Sequence, residues 1–384
     1  MRSSARATRL IVLGGFLGAG KTTAILRLAR RRAARGERVG VIANDLSEGL
    51  VDAATYRAHG LPAEELPGGC FSCRFDALLA AAGRLVGGEH PDVLIAEPAG
   101  SCTDLVAKAI EPLRRLYSDR FAVAPYATLL DPLRAAEALG GRGSGGLSAR
   151  VAYLFRMQQN EAEIVAINKA DLLTERRRAE VELLAARAFP NAHILTVSAQ
   201  SGEGFDAFEE ALFDAPPRAR GVSDALAGNE LAAAAGDASL AWVNGRWSWS
   251  AAAPQVAESL AIDWLDALRV ELAAQGCRPV HVKCAVLDGP VRVVGVANLL
   301  DAACPPSASM ATGDSLSAGE LLVNARVEGD AASVRVAVER AAERLAANRS
   351  AQGRWLSITA LAADPTNRFC AVQPVRSREV SETP

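Results

Sequence analysis

One stretch near the N-terminus, Gly14-Gly15-Phe16-Leu17-Gly18-Ala19-Gly20-Lys21-Thr22-Thr23, constrains this chain more than any other. The apolar run Leu10-Ile11-Val12-Leu13 precedes it and the helix-like Ala24-Ile25-Leu26-Arg27-Leu28-Ala29 follows. Gly15 to Thr22 satisfies G-x-x-x-x-G-K-[ST] between a strand and a helix, the context in which that spacing carries meaning. Glycines let backbone N–H groups curl around an oxyanion, and a helix N-terminus adds a favourable dipole. Gly15, Gly18, Ala19, Gly20 and Thr23 are expected to line the turn, Lys21 to reach terminal phosphates and Thr22 to place a hydroxyl on Mg²⁺. A bound nucleotide is the expectation.

Around this turn the sequence alternates. Extended apolar runs are expected at Arg9–Leu13, Arg38–Ala43, Val93–Ala96, Ala122–Leu130, Ile164–Ile167 and Ala192–Thr196, with helical patterns between them, such as Phe75 to Val86 and Glu175 to Ala188. Near-continuous apolar strands suit a mostly parallel sheet covered by helices on both faces, with ligands at the carboxyl ends of the strands. The fold class expected is therefore α/β, a P-loop NTPase over residues 1–214. An Ala/Gly-rich stretch, 215–239, reads as a flexible linker. Residues 240–374 read as a smaller α+β domain, with a helix from Val256 to Ala274, strands at Val280–Leu287 and Val291–Ala297, a helix from Val334 to Ala347 and a strand at Trp355–Leu361. The glycine-rich Gly140 to Gly146 reads as a mobile loop, and 375–384 as a disordered tail.

Composition narrows the function classes. A net charge of -2 gives no dominant positive field, which argues against a nucleic-acid surface. Arg27, Arg30, Arg31, Arg32, Arg35 and Arg38 read as a solvated face on and after the first helix. No apolar stretch approaches the roughly 20 residues that cross a bilayer. Seven cysteines do not suggest a disulfide framework, and a reducing cytoplasm is the expected setting.

Asn168-Lys169-Ala170-Asp171 follows the strand Ile164–Ile167 directly. In such an element the Asp171 carboxylate would accept from the N1–H and 2-amino groups of guanine, while Asn168 and Lys169 brace the loop. A carboxylate facing adenine would lack those donors, so GTP is expected over ATP. Ser198 and Ala199, at the end of the next strand, would complete the base pocket. Glu97, ending Val93–Ala96, is placed to supply an acid near Mg²⁺, and Asp45 is a second candidate. Gly100 would offer a backbone N–H near the terminal phosphate. No residue stands out as a catalytic arginine or water-positioning glutamine, so slow intrinsic turnover is expected.

With these motifs in this order, the chain resembles the CobW/HypB/UreG group of metal-site GTPases, the CobW-like branch most closely. The carrying residues are Gly14 to Thr23, Val41-Ile42-Ala43-Asn44-Asp45, Gly68-Gly69-Cys70-Phe71-Ser72-Cys73, Ile95-Ala96-Glu97-Pro98-Ala99-Gly100 and Gln158 through Asp171. The C-terminal region resembles the family's second domain loosely, around His281-Val282-Lys283-Cys284. The resemblance implies GTP hydrolysis coupled to delivery of a metal ion, Zn²⁺ or Co²⁺, or of a metal cofactor, to a client protein. The family commonly carries C-x-C-C where this chain has Cys70-Phe71-Ser72-Cys73. A serine is a poor ligand for soft ions, so a third thiol is sought elsewhere, and Cys102 is the candidate. The rival expectation is a metal-independent GTP switch activating a partner such as a corrinoid-dependent methyltransferase. A small-molecule kinase is a third, and it lacks an identifiable acceptor-activating base. Cys277, His281 and Cys284 read as packing cysteines and a surface histidine, because His281 and Cys284 fall on opposite faces of a strand.

Overall fold

A computed structural model describes residues 7–44, 51–66, 70–72, 74–140, 147–214, 240–289, 292–363 and 372–374. Asp45, Cys73, most of the 140–146 loop, the 215–239 linker and the 375–384 tail lie outside the described residues. The chain divides into two compact units, Met1–Asp237 and Ala238–Pro384.

The first unit is a parallel sheet in the order β3-β2-β4-β1-β6-β7-β8, with β5 paired to β1 as well. Its strands are β1 (Thr8–Gly15), β2 (Val39–Asn44), β3 (Ala63–Leu66), β4 (Val93–Glu97), β5 (Phe121–Val123), β6 (Ala127–Leu130), β7 (Ile164–Ile167) and β8 (His193–Thr196). Helices α1 (Lys21–Ala33), α2 (Val51–Ala58), α3 (Phe75–Gly88), α4 (Glu111–Leu116), α5 (Pro132–Leu139), α6 (Ala149–Asn160), α7 (Glu175–Ala188) and α8 (Phe205–Phe213) connect them. The central strands β1, β2, β4, β6 and β7 are buried almost throughout, as two-faced burial demands. One strand expectation needs correction, and one strand was not expected. Ala122–Leu130 is two strands, because 124–126 leave the ladder before the chain resumes pairing on β1 at Ala127. Ala63–Leu66 pairs with β2, although its two glutamates hid it in the sequence.

The arginine reading also needs correction. Arg31, Arg32 and Arg35 on and after α1 converge on Glu209 of α8, which is almost fully buried. The Arg27 guanidinium donates at 2.6 Å to the carbonyls of both Ala199 and Gln200. A face expected to be solvated instead fastens α1 to the last helix and to the loop after β8. The long, forked side chain allows this, since it holds fixed acceptors while its stem lies on apolar surface.

The second unit is an antiparallel sheet in the order β12-β11-β10-β13-β9-β14-β15. Its strands are β9 (Leu240–Val256), β10 (Arg278–Asp288), β11 (Arg292–Leu299), β12 (Ser307–Ala311), β13 (Ser315–Glu328), β14 (Ala351–Ala363) and β15 (Val372–Pro374). Helices α9 (Ala257–Ala274) and α10 (Ala331–Asn348) bury Leu260, Trp264, Leu268, Val334, Val338 and Leu345 against one face of it. Trp247 and Trp249 belong to that core. Trp242 lies on the other face with Arg326 stacked 4.1 Å over its ring. Cys277 and Cys284 are core residues, and His281 sits 3.3 Å from Asn298 on the opposite face. The packing reading of these three side chains therefore stands.

Candidate functional site

The turn between β1 and α1 is built around positive-φ glycines, Gly15, Gly18 and Gly20. Gly20 is the decisive one. Its φ is 92°, and a Cβ there would lie 2.4 Å from the Asn168 amide nitrogen. Helix α1 therefore begins with no capping side chain and no acid in its first turn. Backbone N–H groups at such a helix start are complemented by an anion, so the turn fits a polyphosphate. Lys21, 9% exposed, is folded onto the turn and donates to the Gly15 carbonyl at 3.0 Å.

Beside Thr22 lies a group of oxygen-bearing side chains that the sequence showed only in part. The Thr22 hydroxyl donates to Asp52 at 2.7 Å. Tyr56, one turn further along α2, donates its hydroxyl to Glu97 and is fully buried. Burial, with Glu97 and Asp52 close by, holds the Tyr56 hydroxyl well above its ordinary range, so it remains a donor. Hard carboxylate and hydroxyl oxygens are what Mg²⁺ takes, and Thr22, Asp52 and Glu97 are the residues that can hold it. The spacing Asp52-x-x-x-Tyr56, which places both on one helix face, was the available signal.

The element expected to read guanine is assembled across two strand ends. Asn168, 1% exposed, donates to the Ala19 carbonyl at 2.8 Å and accepts from the Ala199 N–H at 2.9 Å, linking the phosphate turn to the loop after β8. The Ser198 hydroxyl donates to Asp171 and accepts from the Ser201 N–H, which fixes the carboxylate. Lys169 adopts a left-handed φ of 62° and donates to Asp131, the N-cap of α5. Asp131, like Arg27, supports the site and was not apparent from the motif.

Two thiols also meet. The Ser72 hydroxyl lies 3.0 Å from Cys70 Sγ and 3.5 Å from Cys102 Sγ. Contact with the Cys70 thiol, reinforced by burial, holds the Cys102 thiol well above its ordinary range. Among the described residues, no group of three or more His, Cys, Asp or Glu side chains is arranged to hold a metal ion. Cys70 and Cys102 are brought together, and Gly100 lies two residues before Cys102 on the loop that follows Glu97. Helix α6 holds that loop. Gln158 donates at 2.9 Å to the Gly100 and Cys102 carbonyls, and Glu161 accepts from the Asp104 and Val106 N–H groups at 2.6 and 3.1 Å. Burial pushes the Glu161 carboxyl up to about 7.

A parallel α/β sheet, a glycine turn opening a helix and a base-reading loop at neighbouring strand ends define a P-loop nucleotide-binding protein. Residues 9–196 match the model of the CobW/HypB/UreG nucleotide-binding domain. This domain, about half of the chain, belongs to that family of P-loop GTPases. A 95-residue segment is 37% identical to the zinc chaperone YeiR of Escherichia coli (strain K12), covering 24% of this chain and 28% of that protein. Among solved structures, HypB from Helicobacter pylori in complex with nickel is similar at a TM-score of 0.39 and 19% identity, over 53% of this chain and 85% of that one. Zn(II)-bound YjiA GTPase from E. coli is similar at a TM-score of 0.35 and 16% identity, over 87% of this chain and 98% of that one. Among the described residues no helix is long and apolar enough to cross a membrane.

Proposed function

We propose that this protein binds GTP with Mg²⁺, hydrolyses it slowly to GDP and phosphate, and uses the cycle to deliver a soft metal ion, Zn²⁺ or Co²⁺, to a client protein. Gly15, Gly18, Ala19, Gly20, Lys21 and Thr23 cradle the phosphates, with the Gly100 N–H near the terminal one. Thr22, Asp52 and Glu97 hold Mg²⁺. Asn168, Lys169, Asp171, Ser198 and Ala199 read the base. Cys70 and Cys102 hold the cargo ion, with Cys73 as the third ligand on sequence grounds. Asp45 stays a second Mg²⁺ candidate on the same grounds.

The observation that carries this reading is the short peptide from Glu97 to Cys102. It begins with the acid bonded by Tyr56 at the oxygen cluster and ends with the thiol beside Cys70 and Ser72. A loop that rearranges when the γ-phosphate leaves would carry a metal ligand with it. The YeiR likeness supports zinc as the cargo.

Competition titration of Zn²⁺ into the full chain, loaded with GDP or with a non-hydrolysable GTP analogue, tests the reading. Zn²⁺ affinity is expected to differ between the two states and to fall in Cys102→Ala. Equal affinities in both states overturn metal delivery, and no uptake of guanine nucleotide overturns the whole reading. The rival, a metal-independent GTP switch for a partner enzyme, draws its support from the Ser72 hydroxyl standing between the two thiols. Unchanged GTP turnover on addition of Zn²⁺ or Co²⁺, together with no Zn²⁺ uptake, would favour it.

A further inference from the structure

We infer that Gln158 is a positioning residue that couples the Gly100 peptide to the Cys70–Cys102 thiol pair, an inference that rests on the metal-delivery reading above. The Gln158 side chain is 2% exposed, and its one amide nitrogen donates to both the Gly100 and the Cys102 carbonyls. Two carbonyl oxygens at 2.9 Å fix which end of the amide faces the loop, since the oxygen end would repel both. The same group therefore answers to two peptides, one on the nucleotide side and one on the thiol side.

Each flank of this bridge is in close contact with its own site. A Cβ on Gly100 would lie 2.4 Å from the Leu17 side chain, so the loop is pressed against the phosphate turn. At the other flank, Cys102 closes a tight turn by donating its N–H to the Ala99 carbonyl at 3.0 Å, and its sulfur meets the Ser72 hydroxyl. The chain of contact thus runs from Leu17 through Gly100, Gln158 and Cys102 to Ser72 and Cys70.

Helix α6 supplies a fixed base for the bridge. Gln159, next to Gln158, accepts from the Thr128 hydroxyl at 2.7 Å and donates to the Leu129 carbonyl, which pins the helix to β6. Glu161 holds the following half of the same loop, at Asp104 and Val106. With the helix pinned, the carbonyl of Gly100 cannot turn away without leaving one of the two buried amide protons unsatisfied while the other still holds the Cys102 carbonyl, so a shift at Gly100 is felt at the Gln158 amide that grips Cys102. The Gln158 carbonyl oxygen is itself buried and has no hydrogen-bond partner among the described residues. An unsatisfied buried acceptor is unfavourable, and it is available to a loop N–H in a second arrangement. A bistable element held between two sites is what thermodynamic coupling requires.

The experiment measures coupling and not either affinity alone. Zn²⁺ dissociation constants are determined for the full chain with GDP and with a non-hydrolysable GTP analogue, in wild type and in Gln158→Met. The wild-type ratio between the two nucleotide states is expected to be about tenfold, and the variant's ratio to fall below about threefold. A purely structural role would lower the melting temperature and shift both constants together, leaving the ratio intact. A variant that retains the wild-type ratio overturns the inference. A wild-type ratio of one overturns the metal-delivery reading itself, and the inference with it. Gln158→Asn, which keeps the amide but is one methylene too short to span both carbonyls, gives the same test if the methionine variant does not fold.

Discussion

Replacing Glu161 with glutamine should abolish a specific pH dependence of the first unit's stability. The carboxyl is buried and accepts two backbone N–H bonds from the loop carrying Gly100 and Cys102, yet desolvation still lifts it from an ordinary 4.5 to about 7. The folded state thus holds this proton more tightly than the unfolded chain does. The stabilisation is complete below the unfolded value and is lost as pH rises through about 7. With those two values, the charged group costs the fold about 0.8 kcal/mol at pH 5 and about 3.3 kcal/mol at pH 8. Glu161→Gln is a neutral isostere, so the variant should gain about 2.5 kcal/mol relative to wild type between pH 5 and pH 8. Urea unfolding at several pH values measures this. The five tryptophans, Trp242, Trp247, Trp249, Trp264 and Trp355, all lie in the second unit, so their emission follows that unit alone. Far-ultraviolet circular dichroism follows both units, and the difference isolates the first. Wild-type and variant profiles that run parallel from pH 5 to pH 8 would refute the desolvation argument.

Three further outcomes are expected. Asp171→Asn should weaken GTP binding about a hundredfold and improve binding of xanthosine triphosphate, whose 2-oxo group accepts where guanine donates; fluorescent-nucleotide titrations check both. Ser72→Cys should tighten Zn²⁺ binding at least about tenfold by placing a third thiol between Cys70 and Cys102, as read by competition with a chromogenic chelator. Glu209→Ala should destabilise the first unit by about 2 kcal/mol, because Arg31, Arg32 and Arg35 lose a shared acceptor; Arg31 and Arg35 are exposed enough to recover some hydration, and the melting temperature reports it.

The parts of the fold legible in the sequence were those dictated by local pattern. The Ile164–Ile167 strand and the Glu175–Ala188 helix have the expected bounds, because their apolar and helical patterns are read within a few residues. Ser307–Ala311 and Ser315–Glu328 were not anticipated. Their small and polar residues resemble a loop until β11 and β9 supply partners. At the candidate site, the contiguous motifs singled out Lys21 and Thr22 at the start of α1 and Asn168 and Asp171 after β7, each from a few neighbouring residues. Asp52, Tyr56, Asp131 and Arg27 escaped notice because each acts across 30 residues or more, on Thr22, Glu97, Lys169 and the Ala199 carbonyl. Side chains with ordinary surface character acquire a role only when the sheet brings distant segments together.

Helix α1 has a consequence that reaches past the phosphate turn. It starts at Lys21, and one and a half turns later Arg27 grips the two carbonyls that follow Ser198. Tail-end and base-end contacts with a nucleotide would therefore share one rigid strut. Wear at either end should be felt at the other. A guanidinium occupied by the Ala199 and Gln200 carbonyls would then act as a determinant of base fidelity through the loop it holds.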